Sequence, residues 1–420
     1  MWLDYATALC QPDVFDRALA CRRDSLKNVK IRSCLTMRPR AVVEADPTGR
    51  HFCWFSWHFS GYDRKMHDCG CCNYIPLNLG EVPDYYRRFV NPVDMIILKV
   101  CPMGANGCLN FGPTSMWQRA VIERARTVVV EVTRGLPCAC GDRNCVHADE
   151  VDYIIEGDDR DPPELPNPPP SDIDRSVARY IAAEIEDGSC LQVGIGGMAN
   201  AVCTLLLESG VRDLGVHTEM LTDGVLELYK AGRVTGLRKV IDVGRIVYTF
   251  TLGSRRLYAE TDRNPDFLCC PVDYTNSPTV IMRNDRVVSI NGTTQIDLQG
   301  QGASESDGHR HISGTGGQLQ FVRGAYSSDH GKSFICLAST YEKHGERRSR
   351  IVLNLTPGNI VTTPRSDVMY VVTEYGMVNL KGKSVAERAR AIISIAHPDF
   401  REELERQAYE YRLIPCGVSF

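Results

Sequence analysis

Two kinds of hydrophobic pattern alternate along the first part of the chain. The apolar runs 94–100 (DMIILKV) and 127–132 (TVVVEV) are typical of buried strands, and 115–126 (SMWQRAVIERAR) has the spacing of an amphipathic helix. A strand, a helix and a strand in succession predict parallel strands joined by crossover helices, and therefore an α/β fold.

The same alternation continues in the second part. Apolar residues recur every four positions from Ile173 to Ile185, which predicts a helix capped by Ser171 or Asp172 and ended at Gly188. The pattern then predicts a strand, a helix and a strand at 191–194, 200–208 and 213–220.

A proline-rich segment divides the chain. Six prolines stand among acidic residues between Asp158 and Asp174, without a periodic apolar pattern. Proline restricts φ and lacks an N–H donor, so we expect an extended linker over 158–174. We therefore predict an N-terminal domain over 1–157 and a C-terminal domain over 175–420, each of ordinary domain size.

Composition narrows the possible classes of protein. Hydrophobic residues make up 43% and charged residues 24% of the 420 residues, and the net charge is −4. This balance excludes a mostly disordered chain and a basic nucleic-acid coat. No apolar run approaches the ~20 residues of a membrane span, and Asp4 stands where a signal peptide is basic, so we expect a cytoplasmic protein. The eighteen cysteines, twelve of them before residue 150, are then expected to be reduced thiols.

Glycine-rich turns and carboxylates at predicted strand ends are the candidate binding and catalytic features. Gly194–Gly197 lies between a strand and a helix, where backbone N–H groups can face an anion, although a plain tight turn has the same sequence. Glu219 ends the next strand, at the edge where open α/β sheets bind ligands, and a solvent-exposed glutamate is the alternative. A second turn at 312–318 (ISGTGGQ) and Glu374 at another strand end repeat these features.

Taken together, these motifs resemble a known family. The strings GIGGMANAV, HTEMLTDGVLELYKAG, ISGTGGQ, VTEYGMVNLKGKS and IAHPDF resemble those of the acetyl-CoA hydrolase/transferase family. Nearer the start, WHFSGYDRKMHD, NYIPLNLGEVPDYYRRF and NGCLNFGP resemble its 4-hydroxybutyrate and butyryl-CoA:acetate CoA-transferases. The motifs occur in the same order from about residue 2 to about residue 410.

The resemblance implies a fold and a set of site residues. The fold is α/β, with two CoA-transferase-type (NagB/RpiA-like) domains, mainly parallel sheets, and an active site in the cleft between the domains. Glu219 matches the catalytic glutamate, which forms a glutamyl-CoA thioester. The glycine turn that contacts CoA matches Gly194, Ile195, Gly196, Gly197 and Met198. Positions that bind CoA or complete an oxyanion site match Ser313, Gly316, Gly317 and Lys332.

The implied activity is the transfer of CoA between a short-chain acyl-CoA, of butyryl or 4-hydroxybutyryl type, and a small carboxylate such as acetate. The exchange passes through an acyl–glutamyl anhydride and tetrahedral oxyanions, so Glu219 has to be ionised, shielded from water and close to N–H donors that offset its desolvation. Hydrolysis of acyl-CoA by the same glutamate is the alternative, and a non-catalytic CoA-binding protein is a third class.

The resemblance also sets expectations about ligands and assembly. CoA is expected as substrate and covalent intermediate, with no tightly bound cofactor and no metal in the active site. The expected partners are acyl-CoA, small carboxylic acids and further copies of the chain in a homodimer or homotetramer, with neither nucleic acid nor membrane.

The chain departs from the family pattern at two places. The relatives carry a longer segment before the position of Trp2, with an opening helix and the start of a strand, so we expect a different edge of the first domain. A second departure is a cluster of possible metal ligands at Cys138, Cys140, Cys145 and His147. Its residue types suit zinc, whereas its spacing matches no known zinc motif, and free thiols explain it equally well.

One further pair stands close to the predicted site. Trp57 and His58 lie in the WHFSGYDRKMHD string and could line an acyl pocket. Both residue types are often buried, so we interpret them as a packed tryptophan and a hydrogen-bonded core histidine.

Overall fold

The structure, a computed structural model, describes residues 1–415 and contains two large sheets. The strands of the first sheet are β1 (Trp2–Thr7), β2 (Val29–Cys34), β3 (Phe52–Ser56), β4 (Cys72–Tyr74), β5 (Met95–Val100), β6 (Thr127–Val132) and β7 (Tyr153–Glu156). Those of the second are β8 (Cys190–Val193), β9 (Gly215–His217), β10 (Ile246–Tyr248), β11 (Phe267–Cys269), β12 (Val287–Gly292), β13 (Lys332–Cys336), β14 (Tyr370–Thr373) and β15 (Gly376–Asn379).

Both sheets have the same strand order. The first runs β4-β3-β2-β1-β5-β6-β7 and is parallel throughout. The second runs β11-β10-β9-β8-β12-β13-β14 with an antiparallel β15 at its edge. In each sheet the order reverses between the first and fifth strands, and the carboxyl edge at such a switch point is where α/β sheets bind ligands.

Helices and short strands connect and flank the sheets. The α-helices are α1 (Val14–Cys21), α2 (Ala41–Ala45), α3 (Gly61–Asp68), α4 (Val82–Arg88), α5 (Gln118–Ile122), α6 (Asp172–Ala182), α7 (Gly197–Glu208), α8 (Asp223–Lys230), α9 (Arg255–Thr261), α10 (Val272–Thr275), α11 (Pro278–Ile281), α12 (Gln318–Ser327), α13 (Val385–Ser394) and α14 (Pro398–Glu410). The 3₁₀ turns are Ala8–Cys10, Arg23–Ser25, Leu79–Glu81 and Ala148–Glu150. Short strands pair Cys108–Asn110 with Cys145–His147, Met220–Leu221 with Phe250–Thr251, Gln295–Asp297 with Gly302–Ala303 and Ile351–Val352, Ser306–Asp307 with Arg310–His311, and Thr340–Lys343 with Glu346–Ser349. Within residues 1–415, every helix is too short or too polar to span a bilayer.

Most of the predicted elements are confirmed. The runs 94–100 and 127–132 form β5 and β6, and α6 is capped by Ser171, whose hydroxyl accepts from the Asp174 N–H. This helix already ends at Ala182, several residues before Gly188.

The predicted helix over 115–126 is wrong at both ends, because α5 spans only Gln118–Ile122. Met116, before it, has φ +35, which is not a helical backbone conformation. The N–H groups of Ser115 and Met116 both donate to the carbonyl of Thr249, and only α5 remains helical.

The two halves of the chain pack against each other. Segment 157–171 contains no helix or strand, and it is held to the second half by the Leu165 N–H, which donates to the Gly253 carbonyl at 3.1 Å. The largest hydrophobic cluster of the first half continues into the second through Phe250, Leu252 and Val272. The domain bounds 1–157 and 175–420 stay a prediction. Strand β1 begins at Trp2 and lies in the centre of its sheet, between β2 and β5.

Candidate active site

Glu219 stands at a break in the predicted strand 213–220. Strand β9 ends at His217, and the chain resumes pairing at Met220 against Phe250. The Thr218 N–H donates to the Val247 carbonyl, and the Glu219 carbonyl accepts from the Thr249 N–H at 3.0 Å. This arrangement fixes the backbone of Glu219 beyond the carboxyl end of β9, next to the switch point of the second sheet.

Two donors contact the Glu219 carboxylate. The Asn276 side-chain N–H donates to Oε2 at 2.6 Å, and the backbone N–H of Gly317 points to the same group. Burial raises the pKa of Glu219 to about 7, and these two hydrogen bonds oppose that rise without cancelling it. The amide donors therefore offset only part of the cost of desolvating the carboxylate, and Glu219 changes its charge near neutral pH.

Gly317 is a glycine because the carboxylate occupies the space beside its Cα. A Cβ at this position would meet Glu219 Oε2 at 2.0 Å and Asn276 Nδ2 at 2.2 Å. Gly316 has φ +60, which L side chains rarely adopt. The turn thus brings a backbone N–H against the carboxylate more closely than any larger residue allows.

The first glycine turn faces the same space. Gly196, with φ +106, precedes α7, and the free N–H groups at the start of this helix adjoin the cavity that Glu219 lines. The turn residues Gly194, Ile195, Gly196, Gly197 and Met198 all line this cavity, together with Ser313, Gly316 and Gly317.

Two adjoining cavities meet at Glu219. The first, of about 520 Å³, lies between the two glycine turns and extends to Arg350, and we call it the glycine-turn cavity. The second, of about 440 Å³, is walled by Leu35 and Met37 of the first half and by Phe250 of the second, and we call it the apolar cavity. Both are lined by Glu219, as the predicted position between the halves requires.

His58 corrects one interpretation made from the sequence. Its ring lines both cavities and packs against the second turn, since a Cβ at Gly314 would lie 2.7 Å from His58 Nδ1. Burial, with a smaller contribution from His311, lowers the pKa of His58 to about 4, so its imidazole is neutral at pH 7. Trp57, in contrast, is buried in the hydrophobic core beside Tyr86, as predicted.

Lys332 does not reach the site, which corrects that assignment. It begins β13, so it lies at the amino edge of the sheet, whereas the cavities lie at the carboxyl edge. Its ammonium group pairs with the Glu184 carboxylate at 2.8 Å. Glu374 likewise serves the scaffold, because its carboxylate accepts from the N–H and hydroxyl of Ser339.

Sequence reasoning missed Asn276. This residue follows the short helix α10, has no motif around it and lies 57 positions from Glu219 along the chain. Only its hydrogen bond to the carboxylate reveals it.

The cysteine cluster does not converge on one point. Cys138 and Cys145 line a different cavity, Cys140 offers its carbonyl to the Cys269 N–H, and the His147 ring caps the turn at 148–150. Within residues 1–415, no group of three or more His, Cys, Asp or Glu side chains is arranged to hold a metal ion.

Comparison with known proteins assigns the family. The acetyl-CoA hydrolase/transferase N-terminal domain matches residues 1–164, and the C-terminal domain of that family matches residues 253–408. The chain belongs to the acetyl-CoA hydrolase/transferase family. The predicted family is thus confirmed.

Relatives within the acetyl-CoA hydrolase/transferase family match nearly the whole chain. The butyryl-CoA:acetate CoA-transferase of Anaerostipes caccae is 44% identical over 410 residues, which cover 97% of this chain and 92% of that protein. The 4-hydroxybutyrate coenzyme A transferase of Clostridium kluyveri is 39% identical over 404 residues, covering 95% and 92%. The crystal structure of RipA from Yersinia pestis has a TM-score of 0.89 at 35% identity and covers 98% of this chain and 94% of RipA. The predicted α/β fold with mainly parallel sheets is confirmed.

Proposed function

We propose that this protein is a CoA-transferase that moves CoA between a short-chain acyl-CoA, of butyryl or 4-hydroxybutyryl type, and a small carboxylate such as acetate. The observation that carries the proposal is the position of Glu219, whose carboxylate lies between two cavities and against the Gly317 N–H. The names of the most similar curated relatives support the same class of reaction.

The arrangement supports a two-stage exchange. The ionised Glu219 attacks the acyl thioester carbonyl, the C–S bond breaks, and an acyl–glutamyl anhydride forms with release of CoA thiolate. The thiolate then attacks the glutamyl carbonyl, the anhydride C–O bond breaks, and the free acid leaves a glutamyl-CoA thioester. An acceptor acid reverses the two steps, so that atoms and charges balance without water.

The donors beside Glu219 have a role in each step. Both tetrahedral intermediates carry an oxyanion, and the Gly317 N–H is a preorganised donor for it. Asn276 holds Oε2 so that the other carboxylate oxygen is available to attack. We assign the glycine-turn cavity, with residues 194–198, to the pantetheine arm of CoA, and the apolar cavity to the acyl group.

We further propose a cytoplasmic enzyme that assembles into a homodimer or homotetramer and binds no cofactor tightly. The seventeen cysteines within residues 1–415 are all free thiols, which is consistent with a reducing compartment. Light scattering on the purified protein measures the assembly.

The test is covalent capture of the intermediate. Incubation with butyryl-CoA, followed by peptide mass spectrometry, is expected to give a CoA-sized adduct on the peptide that contains Glu219. Glu219→Gln should form no adduct and lose transfer, whereas Glu184→Gln, the same change at a carboxylate paired with Lys332 outside the cleft, should behave as wild type.

The same preparation separates transfer from hydrolysis. Without an acceptor acid the thioester should persist, and acetate should release acetyl-CoA. Rapid loss of butyryl-CoA without acetate would identify a hydrolase, and absence of any adduct would identify a non-catalytic binding protein.

A further inference from the structure

A cavity of about 790 Å³ shares no lining residue with the two cavities at Glu219. Its first-half wall carries four cysteines and its second-half wall comes from α9 and the residues after it. The cysteines are Cys101, Cys108, Cys138 and Cys145. These four thiols line a cavity separate from Glu219, so they are available for a reaction other than CoA transfer.

The four thiols form two neighbouring pairs. Cys101 follows β5, and its thiol contacts the carbonyls of Leu136 and Pro137 at 3.5 Å and hydrogen-bonds the sulphur of Cys138. Cys108 and Cys145 lie on the two paired short strands, and their thiols also interact. The Cys101 thiol thus lies 3.5 Å from the carbonyl of the residue before Cys138, and both cysteines line the same cavity.

The environments of the two pairs differ. Cys101 is buried, whereas Cys138 is half-buried and lines the cavity together with Arg263. The Cys101 thiol and the Arg263 guanidinium, opposed by burial and by Asp262, lower the pKa of Cys138. Burial and the neighbouring Cys108 raise the pKa of Cys145 to about 11. Thiolates rather than thiols are the nucleophiles in cysteine chemistry, so the two pairs are expected to differ in reactivity.

We propose that Cys138 and Cys101 are a redox-active pair, in which Cys138 reacts with hydroperoxides at the cavity wall and Cys101 closes the disulfide. The Cys138 thiolate attacks the terminal oxygen of the hydroperoxide, an S–O bond forms as the O–O bond breaks, and the leaving oxygen takes a proton from solvent to give water or an alcohol. The Cys101 sulphur then attacks the sulfenic acid, the S–S bond forms, and water leaves. The two thiols lose two electrons in total and the hydroperoxide gains them.

The position of Cys138 gives this reaction a structural consequence. Its N–H donates to the Asp262 carboxylate at 2.7 Å, and its carbonyl accepts from the Arg263 N–H at 2.7 Å. Residues 138–140 thus connect the first half to the edge of the second sheet. A disulfide to Cys101 would join this connection covalently to the end of β5.

Peptide mapping tests the proposal. The reduced protein is treated with one equivalent of hydrogen peroxide at pH 7, alkylated and digested with trypsin. Peptide 100–119, which holds Cys101 and Cys108, should become linked to peptide 135–143, which holds Cys138 and Cys140, with a loss of 2 Da. Linkage of 100–119 to the peptide that contains Cys145 should be much slower.

Matched serine variants identify the bond. The link should persist in Cys108→Ser and Cys140→Ser and disappear in Cys101→Ser and Cys138→Ser. In Cys101→Ser, Cys138 should gain 16 Da and then more, because its sulfenic acid has no resolving thiol. Circular dichroism verifies that each variant is folded.

Alkylation rates test the part assigned to Arg263. Arg263→Gln should slow the reaction of Cys138 with iodoacetamide about tenfold at pH 7, and Arg263→Lys should restore most of it. Oxidation of the exposed Cys21 or Cys69 while Cys138 stays reduced would overturn the proposal. Stoichiometric zinc that is lost in Cys138→Ser would overturn it as well.

Discussion

The two halves of this protein use one strand order for different purposes. In the second sheet, the residues after the second strand are Thr218 and Glu219, and the carboxylate lines both cavities. In the first sheet, the residue after the second strand is Leu35, which lines the apolar cavity. The loop after the second strand thus carries the proposed nucleophile in one half and an apolar wall residue in the other, so the topology provides the location and the side chain provides the chemistry.

Residues of the first half also hold the glycine turn at 312–318 of the second half in place. The Phe59 N–H donates to the Ser313 carbonyl, and the Leu79 N–H donates to the Gly316 carbonyl at 3.0 Å. The Tyr74 hydroxyl accepts from the Thr315 N–H at 3.2 Å. The turn that presents Gly317 is therefore held by the half that does not contain Glu219.

The largest effect is expected at Gly317, whose backbone lies against the Glu219 carboxylate. Gly317→Ala places a Cβ 2.0 Å from Glu219 Oε2, so the carboxylate or the turn has to move. Losing one oxyanion donor costs about 10²–10³ in rate, and we expect kcat for butyryl transfer to fall by that factor. Gly210→Ala, where an added Cβ meets nothing within 4 Å, should leave kcat unchanged. An unaltered rate in Gly317→Ala would show that the turn is not part of the chemistry.

A smaller effect, with a pH signature, is expected at Asn276. In the proposed mechanism the charged form of Glu219 attacks, so the rate should fall as the pH drops through about 7, the raised pKa of this group. Asn276→Ala removes a hydrogen bond that lowers this pKa, so the acid limb should move to higher pH. At pH 7 we expect kcat to fall about tenfold, as for loss of one hydrogen bond to a charged group.

The full pH profile separates this explanation from a structural one. The deficit of Asn276→Ala should shrink toward pH 9, where both enzymes are ionised. A deficit that is constant across the profile would mean that Asn276 does not act through the ionisation of Glu219.

The apolar wall of the first half should decide chain length. Leu35→Ala enlarges the apolar cavity, and each lost methylene contact is worth about 1–3 kcal/mol of discrimination. We expect kcat/KM for butyryl-CoA to fall about tenfold relative to acetyl-CoA, measured in one competition assay. Equal losses for both donors would place the acyl group elsewhere.

The smallest effect is expected at Lys332. Lys332→Gln removes a surface ion pair with Glu184 at the opposite edge of the sheet, and such pairs contribute about 0–1 kcal/mol to stability. The KM for butyryl-CoA should stay within twofold of wild type. A large rise in KM would show that Lys332 contributes to CoA binding, contrary to its position at the start of β13.

The sequence by itself determined the local features of this protein. Apolar periodicity predicted β5, β6 and α6, and Ser171 was one of the two residues predicted to cap α6. The glycine turns and the position of Glu219 at a strand end were also predicted, because both features depend on neighbouring residues in the sequence.

Only the tertiary structure decided which distant groups meet. Asn276 contacts Glu219, and His58 lines the same cavities, from other loops of the fold, and no local pattern encodes such a meeting. The same holds for the shortened helix at 115–126, where residues 115 and 116 bond to the carbonyl of residue 249 and Met116 has a positive φ. Lys332 was misplaced because family motifs do not tell which end of a strand a side chain occupies. Packing between the halves, rather than any one segment, creates the dry site in which burial sets the pKa of Glu219.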